Sequence, residues 1–327
     1  MGERPVMNRR TLLATALGLL IATAASAQDA YPSRVVRVIV PYAPGGITDI
    51  LARLVADGLT RSLGQQFIVE NRPGGGTTIG TRAVVTAPPD GYTLLMGTTV
   101  LSINPHLMSN LDYDAQKDLI PIANVGESVG LILVPASSPF KSLADIVAAE
   151  KAKPGSLTFG SAGAGSISHI AGEYFNQLAG TKLGHVAYRG SAPLINDGIG
   201  GHIPVIFDGV ITTLPAIEGD KLRPLAVLQT KRSELLPNVP TTAEAGYPAL
   251  LSPSYYGYLA PKGTPQPIVD KLNAEINKIL SQPDVLAKIK QQGAELKGGS
   301  SEDFAKLIKS TSDVYCDVIK KANITVN

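Results

Sequence analysis

The sequence predicts an α/β fold in two lobes, with parallel-rich sheets flanked by helices. Three observations carry this. A unit of short β-branched run, glycine loop and amphipathic helix recurs in both halves of the chain. The apolar runs are separated by helix-sized intervals, so successive strands are joined by crossovers and lie parallel, covered on both faces. The chain beyond its first 27 residues is long enough for two lobes, each with its own core.

The first residues read as a leader. Asn8-Arg9-Arg10 precedes an uncharged stretch from Thr11 to Ala25, and Ala25-Ser26-Ala27 stands just before Gln28. This is the pattern of a cleavable signal over residues 1–27, and the apolar stretch is shorter than the roughly 20 residues that span a bilayer. Arg9-Arg10-Thr11-Leu12-Leu13 suits Sec or Tat export, and Met7 serves as a start as well as Met1.

Val35 to Val40 is a nearly continuous apolar run that stops at Pro41-Tyr42-Ala43-Pro44-Gly45-Gly46, a buried parallel strand entering a glycine loop. Ile47, Ile50, Leu51, Leu54, Val55 and Leu59 then recur at helical spacing. The unit repeats as a strand at Gln66 to Glu70, a loop at Asn71 to Gly76 and a helix at Thr77 to Val85, and Thr93 to Met96 adds a third strand. A second series begins with a strand at Val129 to Val134, a helix near Ser142 to Lys151 and a strand at Leu157 to Phe159. That last strand enters Gly160-Ser161-Ala162-Gly163-Ala164-Gly165-Ser166, and Ile167, Ile170, Ala171, Tyr174, Phe175 and Leu178 mark the helix that follows. Strands fit Gly184 to Tyr188, Pro204 to Phe207 and Leu222 to Val227, with helices near Ala192 to Gly200 and Ile211 to Glu218. The chain closes with helices near 266–280, 284–291 and 301–321, without intervening strands, expected to pack back on the first lobe.

Composition narrows the partners. The 29 basic and 27 acidic residues leave a net charge of +2, too little to draw the chain onto nucleic acid or anionic lipid. Cys316 is the sole cysteine, so no disulfide forms within the chain, and it reads as a small hydrophobe on a helix face. No loop carries the lysine of a P-loop; the third glycine of a dinucleotide fingerprint is replaced by a serine, and no Gly-x-Ser-x-Gly elbow is present. His106, His169, His185 and His202 lack metal-ligand spacing, so neither a metal nor another cofactor is expected.

What remains is binding. Ligands of open α/β sheets collect beyond the carboxyl ends of strands, where helix N-termini offer free amides and partial positive charge. Glycine there lets the backbone approach closely. The loop from Gly160 to Ser166 holds more glycines and hydroxyls, with Ser168 just beyond, than a turn needs, whereas the loop at Pro73 reads equally well as a tight turn.

The ordered motifs also resemble a family. Pro41-Tyr42-Ala43-Pro44-Gly45-Gly46 with Asp49, Ala52 and Arg53, then Glu70-Asn71-Arg72-Pro73-Gly74, are similar to the solute receptors of tripartite tricarboxylate transporters, the Bug proteins. So are Gly160-Ser161-Ala162-Gly163 with Ser166 and His169, Tyr188-Arg189-Gly190 with Pro193 and Asp197, Phe207-Asp208, and Pro240 to Gly246, with departures at Ala187 and Gly74 to Thr78. The resemblance implies a type II-like periplasmic binding protein with a ligand cleft between lobes that the chain crosses twice. Residues 28–130 and 251–327 would form lobe 1, and residues 131–250 lobe 2. It implies a small organic carboxylate, a dicarboxylate or aromatic acid, delivered by a monomeric receptor to two membrane permease subunits. Carried over, the contacts are backbone amides around Ala43, Gly45, Gly46 and Ile47 and around Ser161, Ala162, Gly165 and Ser166, plus the hydroxyls of Ser161, Ser166 and Thr98. Tyr42 would form an apolar wall, and Asp208 would orient water or accept from a ligand hydroxyl or amine.

Three positions keep two readings. His169 either contacts ligand or packs against Tyr174. Arg189 either pairs with a ligand carboxylate or holds its loop through Asp197 or Asp208. Asp49 either reaches the ligand or stabilises the N-terminus of its helix. Two rival functions stand beside the transport receptor: a sensor feeding a two-component signalling system, and a hydrolase using Ser161 or Ser166 with His169, which lacks an oriented triad.

Overall fold

The computed structural model describes residues 31–324 apart from Pro253 and Gln292, together with Gly2; the expected leader falls outside the described residues. Two sheets organise the chain. The first has the order β11-β4-β10-β3-β1-β2, from strands β1 (Val36–Val40), β2 (Phe67–Asn71), β3 (Thr93–Thr98), β4 (Leu119–Ser128), β10 (Ser254–Pro261) and β11 (Ala294–Leu296). The second has the order β7-β6-β8-β5-β9, from β5 (Gly130–Pro135), β6 (Thr158–Ser161), β7 (Gly184–Ala187), β8 (Val205–Gly209) and β9 (Leu222–Val227).

The central strands of both sheets are buried on both faces, which is why β1 and β5 read as nearly continuous apolar runs. Val36, Val38 and Val40 of β1 pack with Leu51, Val55 and Leu59 of helix α1 (Ile47–Leu63), while Ile39 packs on the opposite side with Leu95, Tyr255 and Phe304. In β5, Ile132 and Val134 meet Phe159, Phe175 and Phe207, and Leu131 and Leu133 meet Leu194 and Ile206. Each such side chain contributes roughly 1.5–3 kcal/mol by leaving water.

Each sheet is mixed. The glycine loops follow parallel strands: β1 pairs parallel with β2 and β3, and β6 with β7 and β8. The strands that join the two sheets are antiparallel: β10 against β3 and β4, and β5 against β8 and β9. The parallel pairing read from the glycine-loop units therefore holds at those units, and the antiparallel pairs lie at the strands that join the sheets. The chain passes directly from β4 at Ser128 into β5 at Gly130, and returns between β9 and β10.

The C-terminal segment also departs from expectation. Helices α9 (Gln266–Leu280) and α10 (Pro283–Gln291) are separated from α11 (Ser301–Ala322) by β11, which pairs with β4. Three residues are too few to show a period, so that strand leaves no signal in the sequence. Helix α11 then touches both lobes. Its Tyr315, Val318 and Ile319 cluster with Ile103 of α3 (Val100–Leu107) on one side and with Ile170 of α6 (Ile167–Ala179) on the other. The Gln177 amide of α6 donates to the Val318 carbonyl at 3.2 Å.

Candidate functional site

A cavity of about 430 Å³ lies between the two sheets. The first lobe supplies Tyr42, Ile47 and Val100, and the second supplies Ala162, Ser166, Ser168, Phe207 and Asp208. Its remaining wall includes Ser128, Gly130, Leu228, Ser252 and Ser254, at or beside the strands that join the lobes. Among the described residues, no Lys, Arg or His lines it. Positive potential at the wall therefore comes from peptide dipoles.

Two helix starts supply it. Helix α1 begins at Ile47 behind Gly46, with no side chain capping it, so the amides of Ile47, Thr48 and Asp49 have no acceptor within the helix. The preceding loop is held by Asp49. Its carboxylate accepts from the Gly45 amide at 3.0 Å, Asn71 Nδ2 at 2.9 Å and Arg53 Nε at 3.1 Å. Burial alone would raise this carboxyl; the hydrogen bonds from Arg53, Gly45 and Asn71 outweigh it and hold it below the usual carboxylate range. Gly45 turns with φ at +89°, a conformation that side chains rarely adopt. Tyr42 is fixed by a 2.8 Å hydrogen bond between its hydroxyl and that of Thr98.

The second start is α6. Ser166 caps it, accepting from the His169 amide at 3.2 Å and donating to the Gly163 carbonyl at 2.6 Å. Most loop amides are already engaged: Ala162 donates to Ser168 Oγ, Gly163 to Ser161 Oγ, Gly165 to His169 Nδ1, and Ser166 to the Gly163 carbonyl. Besides Ala164 in the loop, the donors left without a protein acceptor among the described residues are Ile167 and Ser168, the first two amides of the helix. Both residues line the cavity. Of the backbone donors expected at Ser161 to Ser166, those of Ala162, Gly163, Gly165 and Ser166 are thus engaged within the loop and first turn, by side chains and by the Gly163 carbonyl.

Of the residues singled out from sequence, Tyr42, Ile47, Ala162, Ser166 and Asp208 reach the cavity wall. Ala43, Gly45 and Gly46 are exposed in the loop ahead of α1. Asp49, Thr98, Gly165 and His169 stand behind the wall as partners of residues in or next to it. Ser161 is fully buried, with its hydroxyl 2.7 Å from His185 Nε2. Arg189 is exposed and forms no ion pair with Asp197 or Asp208 among the described residues; Asp197 instead accepts from the Tyr188 hydroxyl at 2.8 Å. The loop-holding role foreseen for Arg189 is absent because Tyr188 occupies that carboxylate.

His169 does not simply pack against Tyr174. Its ring stacks on His185 with centroids 3.7 Å apart and planes inclined by 10°, and its Nδ1 accepts from the Gly165 amide. Burial, then the neighbouring His185, lowers its pKa to about 4, so at neutral pH the ring is uncharged and its Nδ1 can hold the loop. The arrangement foreseen for a hydrolase is absent: Ser161 faces His185 from a sealed position, and Ser166 is committed to capping α6.

Asp208 stands apart. Its Oδ1 accepts from the Gly209 amide at 2.8 Å, whereas Oδ2 is buried without a hydrogen-bond partner among the described residues. Burial raises its carboxyl, and hydrogen bonding from Ser191, Gly209 and Thr212 offsets only part of that rise. Sequence reasoning missed Ser191, Thr212 and the junction residues Ser128, Ser252 and Ser254. Ser191 and Thr212 were detectable as hydroxyls at helix starts; the junction serines occur in segments with no glycine loop to mark them.

Comparison with known proteins agrees with this geometry. Residues 51–324 match the TctC family, the tripartite tricarboxylate transporter family receptor. BugT of Bordetella pertussis is 37% identical over 294 residues, covering 88% of this chain and 90% of its own. A Rhodopseudomonas palustris protein solved with adipate is 34% identical with a TM-score of 0.77, spanning 90% of this chain and 100% of that one. MatC from Rhodopseudomonas palustris, with bound malate, is 31% identical with a TM-score of 0.73, spanning 88% of this chain and 100% of that one. The family and its neighbours are solute-binding proteins rather than enzymes. The chain, with its two lobes and the cleft between them, belongs to the tripartite tricarboxylate transporter receptor family.

Proposed function

We propose that this receptor is exported to the periplasm after cleavage near Ala27, captures a small organic carboxylate, and delivers it to the two permease subunits of a tripartite transporter. A dicarboxylate or an aromatic acid is the expected class. The observation that supports the reading is the pair of helix starts whose first amides, at Ile47 and at Ile167 and Ser168, lack a protein acceptor and belong to residues of separate lobes lining a cavity with no cation among the described residues. Anions at such helix starts gain roughly 0.3–1 kcal/mol each, and up to about 2 when partly buried. The similar receptors solved with adipate and with malate favour the same ligand class.

In this reading, residues 28–130 with 251–327 form one lobe and residues 131–250 the other, and the receptor works as a monomer. A ligand held by both lobes binds the closed arrangement more tightly and shifts the population toward it. Tyr42, Ile47, Ala162, Ser166 and Asp208 meet the ligand. Ala43, Gly45, Gly46, Asp49, Thr98, Ser161, Gly165 and His169 shape the loops that present it, and Arg189 is free to join on closure.

A thermal-shift screen of organic acids tests the binding claim. A ligand at 100 times its dissociation constant adds about 2.7 kcal/mol of stability, which raises the unfolding midpoint clearly. Absence of any shift across dicarboxylates, hydroxy acids and aromatic acids would remove the reading. Deleting the gene separates transport from sensing: loss of uptake of the identified acid supports transport, and loss of a transcriptional response alone overturns it.

A further inference from the structure

The cavity wall carries one carboxylate and no cation among the described residues. Asp208 sits at the end of β8, where Gly209 opens helix α8 (Val210–Glu218), and both Asp208 and Gly209 line the cavity. The residue is only partly buried, yet Oδ2 is buried without a hydrogen-bond partner among the described residues; Oδ1 accepts from the Gly209 amide at 2.8 Å, and the hydroxyls of Ser191 and Thr212 lie near enough to stabilise the carboxylate only in part. A carboxylate oxygen without a donor is costly, and since the Asp208 side chain lines the cavity, a turn about its last torsion would let a ligand donor supply what the protein does not. The remaining polar groups of this part of the wall, Ser191 and Thr212, are neutral hydroxyls, and Thr212 already donates to the Gly209 carbonyl at 3.0 Å. A second ligand carboxylate placed here would meet Asp208 with nothing to neutralise either charge.

We propose that Asp208 is a specificity determinant that selects a carboxylate whose other end carries a hydrogen-bond donor, a hydroxyl, amide or ammonium group, over a fully ionised dicarboxylate of the same length. This rests on the carboxylate-receptor reading and narrows it. The ligand's carboxylate occupies the helix-start amides, and its donor completes the coordination of the Asp208 side chain. Discrimination comes from repulsion as well as attraction, since the same carboxylate that accepts from a donor disfavours an anion. The raised pKa of Asp208 fits this placement: the group is held in a site that disfavours its charge until a donor arrives. A dicarboxylate can still enter by bringing a proton to Asp208, so its binding strengthens as pH falls, whereas that of a hydroxy acid does not.

The test compares size-matched pairs by calorimetry at pH 7.5: terminal hydroxy acids of four to eight carbons against the dicarboxylates of equal length, and 4-hydroxybenzoate against terephthalate. With the natural protein, the hydroxy acid of the tightest-binding pair is expected to bind at least about tenfold more tightly than its dicarboxylate partner. In Asp208→Asn, that ratio is expected to fall by at least about tenfold, because the amide donates to a second carboxylate. A dicarboxylate that binds the natural protein as tightly as its partner, with no dependence on pH, overturns the proposal while leaving the carboxylate receptor intact. So does an unchanged ratio in the variant. Binding of no acid by either protein overturns both. Should the variant fail to fold, the comparison within the natural protein decides the question.

Discussion

Replacing Asp49 with asparagine preserves the shape of the side chain and removes its charge. Asp49 is 4% exposed and is held from both sides: Oδ1 faces Asn71 Nδ2 at 2.9 Å and Arg53 Nη2 at 3.0 Å, and Oδ2 faces the Gly45 amide at 3.0 Å and Arg53 Nε at 3.1 Å. Whichever way the new amide is turned, its nitrogen meets two donors and two hydrogen bonds are lost. The Arg53 side chain is 48% exposed, so its share is screened to less than about 1 kcal/mol. The buried partner left unsatisfied costs roughly 1–3 kcal/mol more. We expect Asp49→Asn to destabilise the protein by about 2–3 kcal/mol, a fall of roughly 4–10 °C in the unfolding midpoint by calorimetry. Because the carboxylate stands behind the cavity wall, the affinity for whichever acid binds should weaken by no more than about tenfold, through a looser Gly45 loop. A midpoint within about 1 °C of the natural protein together with a hundredfold loss of affinity would refute this reasoning and place Asp49 on the ligand.

Two further consequences follow from the serine loop. Ser166→Ala removes the cap of α6 and the 2.6 Å hydrogen bond to the Gly163 carbonyl, so thermal unfolding should show a loss of about 1–2 kcal/mol, with weaker binding by calorimetry; unaltered stability and binding would show that the cap is dispensable. His169, with its pKa lowered to about 4, takes up its proton more readily in the unfolded chain, so the stability it contributes is full above about pH 6.5 and is lost as pH falls toward 4. The loss is on the order of 3 kcal/mol by linkage, with Glu173 at 3.9 Å from Nε2 favouring the protonated ring and His185 opposing it. Measuring unfolding across that range in the natural protein and in His169→Gln should show a shallower slope in the variant, and equal slopes would contradict the assignment.

Much of the fold was legible because burial on both faces leaves a distinctive trace. Val35 to Val40 and Leu222 to Val227 could be read directly, since a strand largely covered on both sides is mostly apolar even with Arg37 or Arg223 and Pro224 inside it. The strands at Leu119–Ser128 and Ser254–Pro261 were not, because Pro121 and Gly257 interrupt their patterns. Gly257 has a structural reason that only the packing reveals: a Cβ there would lie 2.3 Å from the Phe304 ring. Helix α3 was hidden by Pro105 within it. At the site, the glycine loops announced themselves, but the division of labour inside them did not. Sequence places Ser161, Ser166, Ser168 and His169 together; only coordinates show that the side chains of Ser161, Ser168 and His169 take loop amides while those of Ile167 and Ser168 keep no protein acceptor. Asp208 was legible as a candidate, while its unpartnered oxygen was not, since that depends on what Arg189 does not reach.

The central claim is that backbone amides from both lobes converge on one carboxylate, and amide resonances report this directly. Titrating the nitrogen-15-labelled receptor with the tightest acid from the screen should shift the amide protons of Ile47, Thr48, Ile167 and Ser168 downfield together, saturating at one ligand concentration. Saturable binding that leaves either pair of amides unmoved would contradict the account.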